Sequence, residues 1–293
     1  MNKHVRSYSS SKYHRLLVSE GKTNLLTRVS PSQLAVSVRD STKASHLAEQ
    51  GVRVAQATFD DPSSLREAFK GGEKLLLVSV DNFENAVKQH KTAIDVAKEV
   101  GIKTIFYTSH IGADLNSPFL ACQHHAETEE YISESGLQWY SLRNGFYNEG
   151  LPMMLNNPIE SGAIYAPEDG PNSWTAHKDL AEATAILLTD ESKLPKDRGN
   201  LVPLTASDAV DFQGIAEALS QVTGKAINRV VISDEQFLEN TVKCGLPEFV
   251  ANAILGIYKA STQGGFNKVD PLLEDLLGRK PETVSEWAKR VYG

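Results

Sequence analysis

Apolar and polar positions follow two alternating patterns from Gln33 onward. Short apolar or β-branched runs predict strands at residues 34–38, 52–57, 74–80, 103–108 and 138–142. Amphipathic stretches between them predict helices at residues 62–69, 82–100 and 124–135. Repeated β-α-β units of this length predict an α/β fold with a doubly wound parallel sheet.

The second half of the chain has a weaker pattern. Residues 162–171 are typical of a loop-rich hairpin at a cleft edge, and residues 230–232 of a short strand. Helices are predicted at residues 179–188, 211–223, 234–243, 247–262, 271–277 and 282–291, with Gly224 ending one of them. We expect a divergent N-terminal segment (1–28), a nucleotide-binding core (29–150) and a third part (151–293) that completes the core and adds a substrate lobe.

Composition narrows the class of protein. The chain has 293 residues, 41% of them hydrophobic, so it can bury a full core. Its net charge of −7, without a basic stripe, argues against nucleic-acid binding. No apolar run is long enough to span a membrane. Two distant cysteines, Cys122 and Cys244, indicate reduced thiols rather than a disulfide framework.

The N-terminus differs from the rest of the chain in charge. Residues 1–28 contain six Lys or Arg and one acidic residue, Glu20. The basic, serine-rich residues 1–17 are typical of an organellar transit peptide, and residues 6–10 resemble a mitochondrial processing site. The alternative is a disordered leader that carries no targeting signal. We expect a cytoplasmic protein, or a mitochondrial one if residues 1–17 act as a transit peptide.

Polar residues follow several of the predicted strands, where ligands bind in a sheet of this kind. They include Arg39, Ser79, residues 108–110 and residues 143–145. Arg39 directly follows the strand that, in a dinucleotide fold, ends at the adenosine ribose. A fixed cation with paired donors suits a 2′-phosphate there and favours NADP over NAD. A solvated surface arginine is the alternative interpretation.

Several longer runs carry a family resemblance: residues 33–40, 106–109, 125–129, 141–149 and 178–181. They resemble the NmrA-like group of atypical short-chain dehydrogenases and, within it, the quinone and triphenylmethane dye reductases. The resemblance extends over residues 28–293. It implies a Rossmann-like domain with a small C-terminal lobe and a nucleotide cleft between them.

The resemblance also implies a set of site residues. Cofactor-binding residues would be Arg39, Val78, Ser79, Thr108, Ser109, Asn144 and Phe146. The substrate would meet Phe146, Tyr147 and Trp174, and the catalytic residues would be His125, Asn144 and Tyr147. The implied activity is direct hydride transfer from NADP(H), in preference to NAD(H), to a quinone-like or conjugated aromatic acceptor. A small-molecule acceptor is the expected partner, and a homodimer is compatible with the sequence.

The chain departs from this family pattern in its first loop. Family members carry a Gly-x-x-Gly-x-x-Gly loop that brings backbone N–H groups to the pyrophosphate. The aligned residues 16–26 are shorter and contain Gly21 alone, next to the acidic Glu20. Thr58 and His177 replace the Asp and Arg that are frequent in the family. Two alternatives therefore stay open: a non-catalytic NAD(P)-sensing regulator, and a degenerate member that has lost cofactor binding.

Three other patterns have simpler interpretations. Gly21-Lys22-Thr23 imitates the end of an ATP-binding P-loop, but Leu16 stands where its first glycine is required. The Tyr8-x-x-x-Lys12 spacing lies in the leader, before the fold begins.

The third pattern lies on the predicted helix 124–135 and just before it. Cys122, His124, His125 and Glu129 include ligand types, but adjacent helical histidines point about 100° apart, so we expect no metal site. His125 and Glu129 are one turn apart, where a hydrogen bond could fix the imidazole tautomer. His90, on an apolar helix face, is expected to be a core histidine.

Overall fold

The computed structural model describes residues 24–80 and 82–293. The transit-peptide prediction for residues 1–17 and the shortened loop around Gly21 fall outside these residues. None of the helices in the described ranges is long and apolar enough to cross a bilayer.

Ten strands lie in the described chain. They are Ala35–Val38 (β1), Arg53–Gln56 (β2), Lys74–Leu77 (β3), Thr104–His110 (β4), Gln138–Asn144 (β5), Phe146–Tyr147 (β6), Ala163–Ala166 (β7), Trp174–Thr175 (β8), Leu201–Leu204 (β9) and Asn228–Val231 (β10). Strands β3, β4, β5 and β9 form a parallel sheet in the order β3-β4-β5-β9. Parallel pairing also joins β1 to β2, β7 to β10 and β6 to β8.

Helices connect and cover these strands. They are Ser45–Ala48 (α1), Pro62–Phe69 (α2), Ala86–Glu99 (α3), Leu120–Glu134 (α4), Leu151–Leu155 (α5), Pro158–Ser161 (α6), His177–Thr189 (α7), Phe212–Thr223 (α8), Asp234–Lys243 (α9), Glu248–Thr262 (α10), Leu272–Leu277 (α11) and Val284–Tyr292 (α12). Short 3₁₀ turns occupy Pro31–Gln33, Ser41–Ala44, Asn148–Gly150 and Glu191–Lys193.

The central strand β4 shows why the predicted strands are continuous apolar runs in the sequence. Ile105 and Tyr107 pack with the residues of α2 and α3, whereas Phe106 packs on the opposite side with residues of α7 and α11. Successive side chains of a strand point to opposite faces, so both faces of this strand are covered by helices. The predicted α/β fold with a parallel sheet is confirmed. A third core, built around Trp174, Phe212 and Trp287, lies in the C-terminal part.

Local signals placed several helix ends correctly. The Asp61 carboxylate accepts the Ser63 N–H at 2.9 Å, and Pro62 begins α2. Gly224 ends α8 with φ of 68°, a left-handed conformation that glycine adopts without strain. Helix α3 begins at Ala86 instead of residue 82, because the Asn82 side chain accepts the N–H groups of Glu84 and Asn85 in a turn.

The predicted hairpin at residues 162–171 is wrong. Strand β7 pairs in parallel with the distant β10, Ile164 lying opposite Arg229. The Arg229 guanidinium donates to the Ala166 carbonyl at 2.9 Å, contacts the Pro167 carbonyl and pairs with the Asp169 carboxylate at 3.0 Å. These contacts hold the segment against β10, so that it does not fold back on itself.

Strand β9 was absent from the sequence predictions. It contains Pro203, which lies opposite Arg143 of β5. Proline has no N–H to donate and is tolerated on edge strands. Within the described sheet, β9 pairs with β5 alone and forms the edge.

Candidate functional site

A cavity of about 200 Å³ lies at the carboxyl ends of β3, β4 and β5. We call it the site cavity. It is lined by Ser79, Val80, Asn82, Phe83, Ala86, His90, Tyr107, His110, Phe119, Ala121, His124, His125, Gly145, Phe146 and Tyr147. In parallel sheets with helices on both faces, this edge is where ligands bind.

Three phenylalanines surround His110 at the end of β4. The Phe146 and Phe266 ring centroids lie 5.3 and 5.1 Å from that of His110, both rings nearly perpendicular to the imidazole. Phe119 adds a third edge contact at 6.4 Å. Phe266 is fully buried, and a methyl group on the neighbouring Gly112 would lie 2.6 Å from its ring. The aromatic wall is therefore held close to the backbone that follows β4.

The hydrogen bonds around His110 fix its tautomer. The Gly112 backbone N–H donates to His110 Nδ1 at 3.0 Å, and the Cys122 sulfur lies 3.4 Å from the same nitrogen. A backbone N–H can only donate, so Nδ1 is the acceptor and the proton of the neutral ring resides on Nε2. Nε2 is buried and has no hydrogen-bond partner within the described residues. Burial, together with the charge of Arg143, lowers the pKa of His110 to about 4, which keeps the ring neutral at physiological pH.

Tyr107 and His125 meet at another part of the wall. The Tyr107 hydroxyl lies 2.8 Å from His125 Nδ1, and burial raises the pKa of this hydroxyl. The Tyr107 hydroxyl is therefore protonated at physiological pH and able to donate to the imidazole. The sequence had suggested Glu129 as the partner of His125. The Glu129 carboxylate instead binds Arg143.

His90 is a buried core histidine, as expected. Its Nε2 accepts the Val80 N–H at 3.0 Å, so Nδ1 carries the proton. Nδ1 lies 3.0 Å from the Thr128 hydroxyl oxygen, and that hydroxyl donates to the His124 carbonyl at 2.7 Å. His90 thus joins the segment after β3 to α4 and is itself one of the residues that line the cavity.

Several polar residues on the strands, or just after them, brace the site. The Ser79 N–H donates to the Thr108 hydroxyl at 2.8 Å and thereby joins the ends of β3 and β4. Ser109 donates to Glu129 at 2.7 Å, and Ser141 donates to the same oxygen at 2.5 Å. Arg143 completes this group through two contacts with the Glu129 carboxylate, at 3.0 and 2.5 Å. Glu129 therefore ties α4 to β4 and β5.

Asn144 and Tyr147 are in contact next to the cavity. Asn144 is buried, and its amide nitrogen donates to the Tyr147 hydroxyl at 3.3 Å. Burial raises the pKa of Tyr147, whose ring lies 4.5 Å from that of His177. His177 is also buried, and its backbone N–H donates to the Glu149 carboxylate at 3.2 Å.

The structure brings some of the predicted site residues together at the cavity and places others elsewhere. Ser79, His125, Phe146 and Tyr147 line the cavity. Asn144 and Thr108 are hydrogen-bonded to the lining residues Tyr147 and Ser79, and Ser109 binds Glu129 of α4. Val78 follows β3 and is half-buried, and Arg39 follows β1 and is exposed.

Trp174, expected in the substrate slot, lies in the core of the C-terminal part. Its indole N–H donates to the Val210 carbonyl at 2.8 Å, and its ring supports Phe146 from behind at 5.2 Å. The sequence shows that residue 174 is aromatic. It does not show that the Val210 carbonyl accepts the indole N–H, and this contact places the ring in the core.

The ligand types around α4 are separated in the structure. Cys122 contacts His110, His125 contacts Tyr107, and Glu129 pairs with Arg143. Among the described residues, no group of three His, Cys, Asp or Glu is arranged to hold a metal ion. Both cysteines are free thiols, and burial raises the pKa of Cys122 to about 12.

His110 was one of the polar residues noted at the strand ends, but the sequence predictions assigned it no role in the site. Its position at the end of a strand was visible, but its role depends on two contacts that form only in the fold, from Gly112 and Cys122. An apolar, aromatic wall with an unpartnered N–H fits the ring end of a nicotinamide cofactor and a flat acceptor beside it. Residues 16–23 of the stretch aligned with the phosphate loop of such cofactors fall in the range that the structure does not describe.

A parallel sheet covered by helices on both faces, with an aromatic cavity at the carboxyl ends of its strands, defines a Rossmann-like α/β protein. The chain belongs to the NmrA-like family, whose family model matches residues 19–288. The family resemblance seen in the sequence is confirmed.

Known relatives match almost the full length of the chain. Quinone oxidoreductase 2 of Escherichia coli is 30% identical over 270 residues, which cover 92% of this chain and 93% of that protein. The crystal structure of the NADPH-dependent Escherichia coli enzyme complexed with NADPH has a TM-score of 0.86 and 29% identity, covering 94% of this chain and 96% of the other. The triphenylmethane reductase of Citrobacter sp. complexed with NADP(H) has a TM-score of 0.83 and 30% identity over the same shares.

Proposed function

We propose that this protein is an NADPH-dependent reductase that transfers a hydride directly to quinones or other conjugated aromatic acceptors. One observation carries the proposal: an aromatic-walled cavity with a neutral histidine N–H stands at the carboxyl ends of the parallel strands. A flat conjugated ring fits such a wall, and hydride addition to it places charge on an atom that needs a donor.

The proposed reaction has a simple balance. NADPH, when bound, supplies the hydride; a quinone that takes up this hydride and one proton becomes a hydroquinone, and NADP⁺ is left. The protein has to hold two rings against each other, exclude water and stabilise the oxygen. No strong nucleophile is required, which agrees with the raised pKa of the Cys122 thiol beside the cavity.

Roles follow from the geometry of the side chains. Phe146 and Tyr147 form the aromatic slot, with Asn144 orienting the Tyr147 hydroxyl. His125 contributes its imidazole as a polar group. The contact with the Tyr107 hydroxyl holds this ring in place. These positions support the roles that the family resemblance implies for Asn144, His125 and Tyr147.

Arg39 supports a preference for NADP(H) over NAD(H). It is exposed directly after β1, and its guanidinium suits a 2′-phosphate through paired, charge-assisted hydrogen bonds. Val78 and Ser79 follow β3, and we assign them to the adenosine side of the cofactor. Structures of the two reductases named above, solved with NADPH or NADP(H), support the same cofactor class for this chain.

Calorimetric titration tests the binding half of the proposal. Full-length protein is titrated with NADPH, NADP⁺ and NADH, and thermal unfolding is followed with each nucleotide. We expect saturable NADPH binding, weaker NADH binding, and oxidation of NADPH when tetramethyl-1,4-benzoquinone is added. A folded protein that shows neither heat nor a thermal shift with any of them would be a degenerate member. Nucleotide binding without turnover across quinones, azo compounds and dyes would favour a regulatory protein instead.

A further inference from the structure

His110 presents a hydrogen-bond donor that nothing in the described structure uses. Its Nδ1 accepts the Gly112 N–H, with the Cys122 sulfur 3.4 Å away, so the proton of the neutral ring is on Nε2. That nitrogen is buried and has no partner among the described residues, although His110 lines the site cavity. A buried donor without an acceptor is costly, and an incoming oxygen would relieve this cost.

The surroundings of His110 strengthen such a contact. Phe119, Phe146 and Phe266 pack around the imidazole with perpendicular or nearly perpendicular rings. In an apolar environment a hydrogen bond to a developing negative charge is stronger than in water. Burial holds the pKa of His110 at about 4, so the group stays a neutral donor through the physiological range.

The cavity wall also limits the charge of the ligand. Among the described residues that line it, none is Asp, Glu, Lys or Arg. The nearby Glu129 carboxylate is already bound by Arg143, Ser109 and Ser141. A neutral ligand with a hydrogen-bond acceptor matches the described part of this wall, whereas a cationic dye finds no counter-charge among these described residues.

We propose that His110 Nε2–H binds a carbonyl oxygen of the acceptor and makes the site selective for neutral conjugated carbonyl compounds, quinones above all, over cationic dyes that lack oxygen. This inference rests on the proposed reductase function. As the hydride is transferred to one carbonyl oxygen of the quinone, electron density moves through the ring onto the other, bound oxygen, and the His110 N–H stabilises it. His110 keeps its proton throughout, and the proton that completes the hydroquinone comes from solvent water.

Two variants of His110 test the proposal. His110→Leu removes the donor at similar volume, and His110→Gln retains an amide N–H. The acceptors are tetramethyl-1,4-benzoquinone, which has no free ring position for thiol addition by the exposed Cys244, and an oxygen-free triphenylmethane dye cation. His46→Leu, at an exposed position in α1, is the matched control.

We expect His110→Leu to lower kcat/KM for the quinone about 100-fold, as for loss of one oxyanion donor. The Kd for NADPH and the rate with the dye should stay unchanged, and His110→Gln should recover part of the quinone activity. Equal losses with both acceptors, or no loss with the quinone, would overturn the proposal.

A binding measurement separates this inference from the proposed function. Calorimetry with tetramethyl-1,4-benzoquinone and cofactor-free protein should show binding that His110→Leu weakens about tenfold. If the wild-type protein oxidises no NADPH yet binds the quinone through His110, the reductase function fails and the donor role stands. If the wild-type protein reduces the dye and neither binds nor reduces the quinone, the reductase class stands and the His110 inference fails.

Discussion

Gly145 and the Ser173 carbonyl approach each other so closely that a methyl group on Gly145 would lie 2.6 Å from that oxygen. The same carbonyl accepts the Phe146 N–H at 2.8 Å. The Ser173 hydroxyl in turn accepts the Ala206 N–H at 2.8 Å, which joins this contact to the segment after β9. The backbone of the aromatic slot is therefore positioned by a close approach that requires glycine at residue 145.

Gly145→Ala should destabilise the protein and displace Phe146. The added methyl group has to push the Ser173 carbonyl or the strand aside, which costs about 1–3 kcal/mol for overpacking of this kind. Thermal or denaturant unfolding measures the loss. Gly150→Ala is the control, because a methyl group there meets no atom within 4 Å and Gly150 has a helical conformation. Equal stability of the Gly145→Ala and Gly150→Ala variants would contradict the conclusion that the contact with the Ser173 carbonyl requires glycine at residue 145.

Replacing Glu129 by leucine should destabilise the protein far more than an exposed substitution on the same helix. The change leaves the partly buried Arg143 without its carboxylate, and it also removes the acceptor of the Ser109 and Ser141 hydroxyls. Breaking a buried ion pair from one side costs about 3–5 kcal/mol. Chemical denaturation measures this, with the exposed Glu130→Leu as the matched control. Similar losses in the two variants would show that the Glu129 contacts contribute little.

His110 should make the stability of the protein depend on pH in the acidic range. Its pKa is about 4 in the folded protein, below the ordinary histidine value near 6.5, so only the unfolded chain takes up this proton between those pH values. Stability is retained above about pH 6.5 and falls as the pH drops towards 4, by about 3 kcal/mol from this group. The groups that face the ring are the Cys122 thiol, the His125 imidazole at 6.3 Å between centroids, and the Arg143 charge.

Unfolding free energies of the wild-type protein and His110→Gln, measured from pH 4 to pH 8, test this dependence. The two curves should converge in shape above pH 7 and separate below pH 6, with the wild type losing more stability. Parallel curves over the whole range would mean that His110 is protonated in the folded state as readily as in the unfolded chain.

Arg39→Gln should weaken NADPH binding about 10- to 100-fold and leave NADH binding nearly unchanged. The fold-change corresponds to loss of charge-assisted hydrogen bonds worth about 1.5–3 kcal/mol. Fluorescence or calorimetric titration with both nucleotides gives the ratio. Lys98→Gln, which removes an exposed charge at the end of α3, should change neither affinity. An equal loss of affinity for NADPH and NADH in Arg39→Gln would contradict a role of Arg39 in binding the 2′-phosphate.

The fold could be predicted where the local signal and the tertiary environment agree. Strand β4 is a continuous apolar run because helices cover both of its faces, and Asp61, Pro62 and Gly224 mark helix ends by their own backbone chemistry. These features depend on near neighbours in the chain, so the sequence displays them.

The remaining features depend on distant partners. The pairing of β7 with β10 is set by the Arg229 contacts across more than 60 residues, and no local pattern shows it. Trp174 turns inward because the Val210 carbonyl accepts its N–H. His110 becomes a fixed donor through Gly112 and Cys122, a tautomer that no sequence motif records. The sequence indicates which residue types lie at the strand ends, while the packing decides which of them reach the cavity.

The central claim is direct hydride transfer within the site cavity. Its most direct test is a single-turnover reaction in which tetramethyl-1,4-benzoquinone oxidises NADPH, or NADPH deuterated at C4 of the nicotinamide, bound to excess protein. The account predicts loss of the reduced-nicotinamide absorbance, one hydroquinone formed for each NADPH consumed, and a slower rate with deuterium, as expected for a primary isotope effect. Folded protein that oxidises NADPH no faster than the protein-free solution, or at the same rate with hydrogen and deuterium, would contradict it.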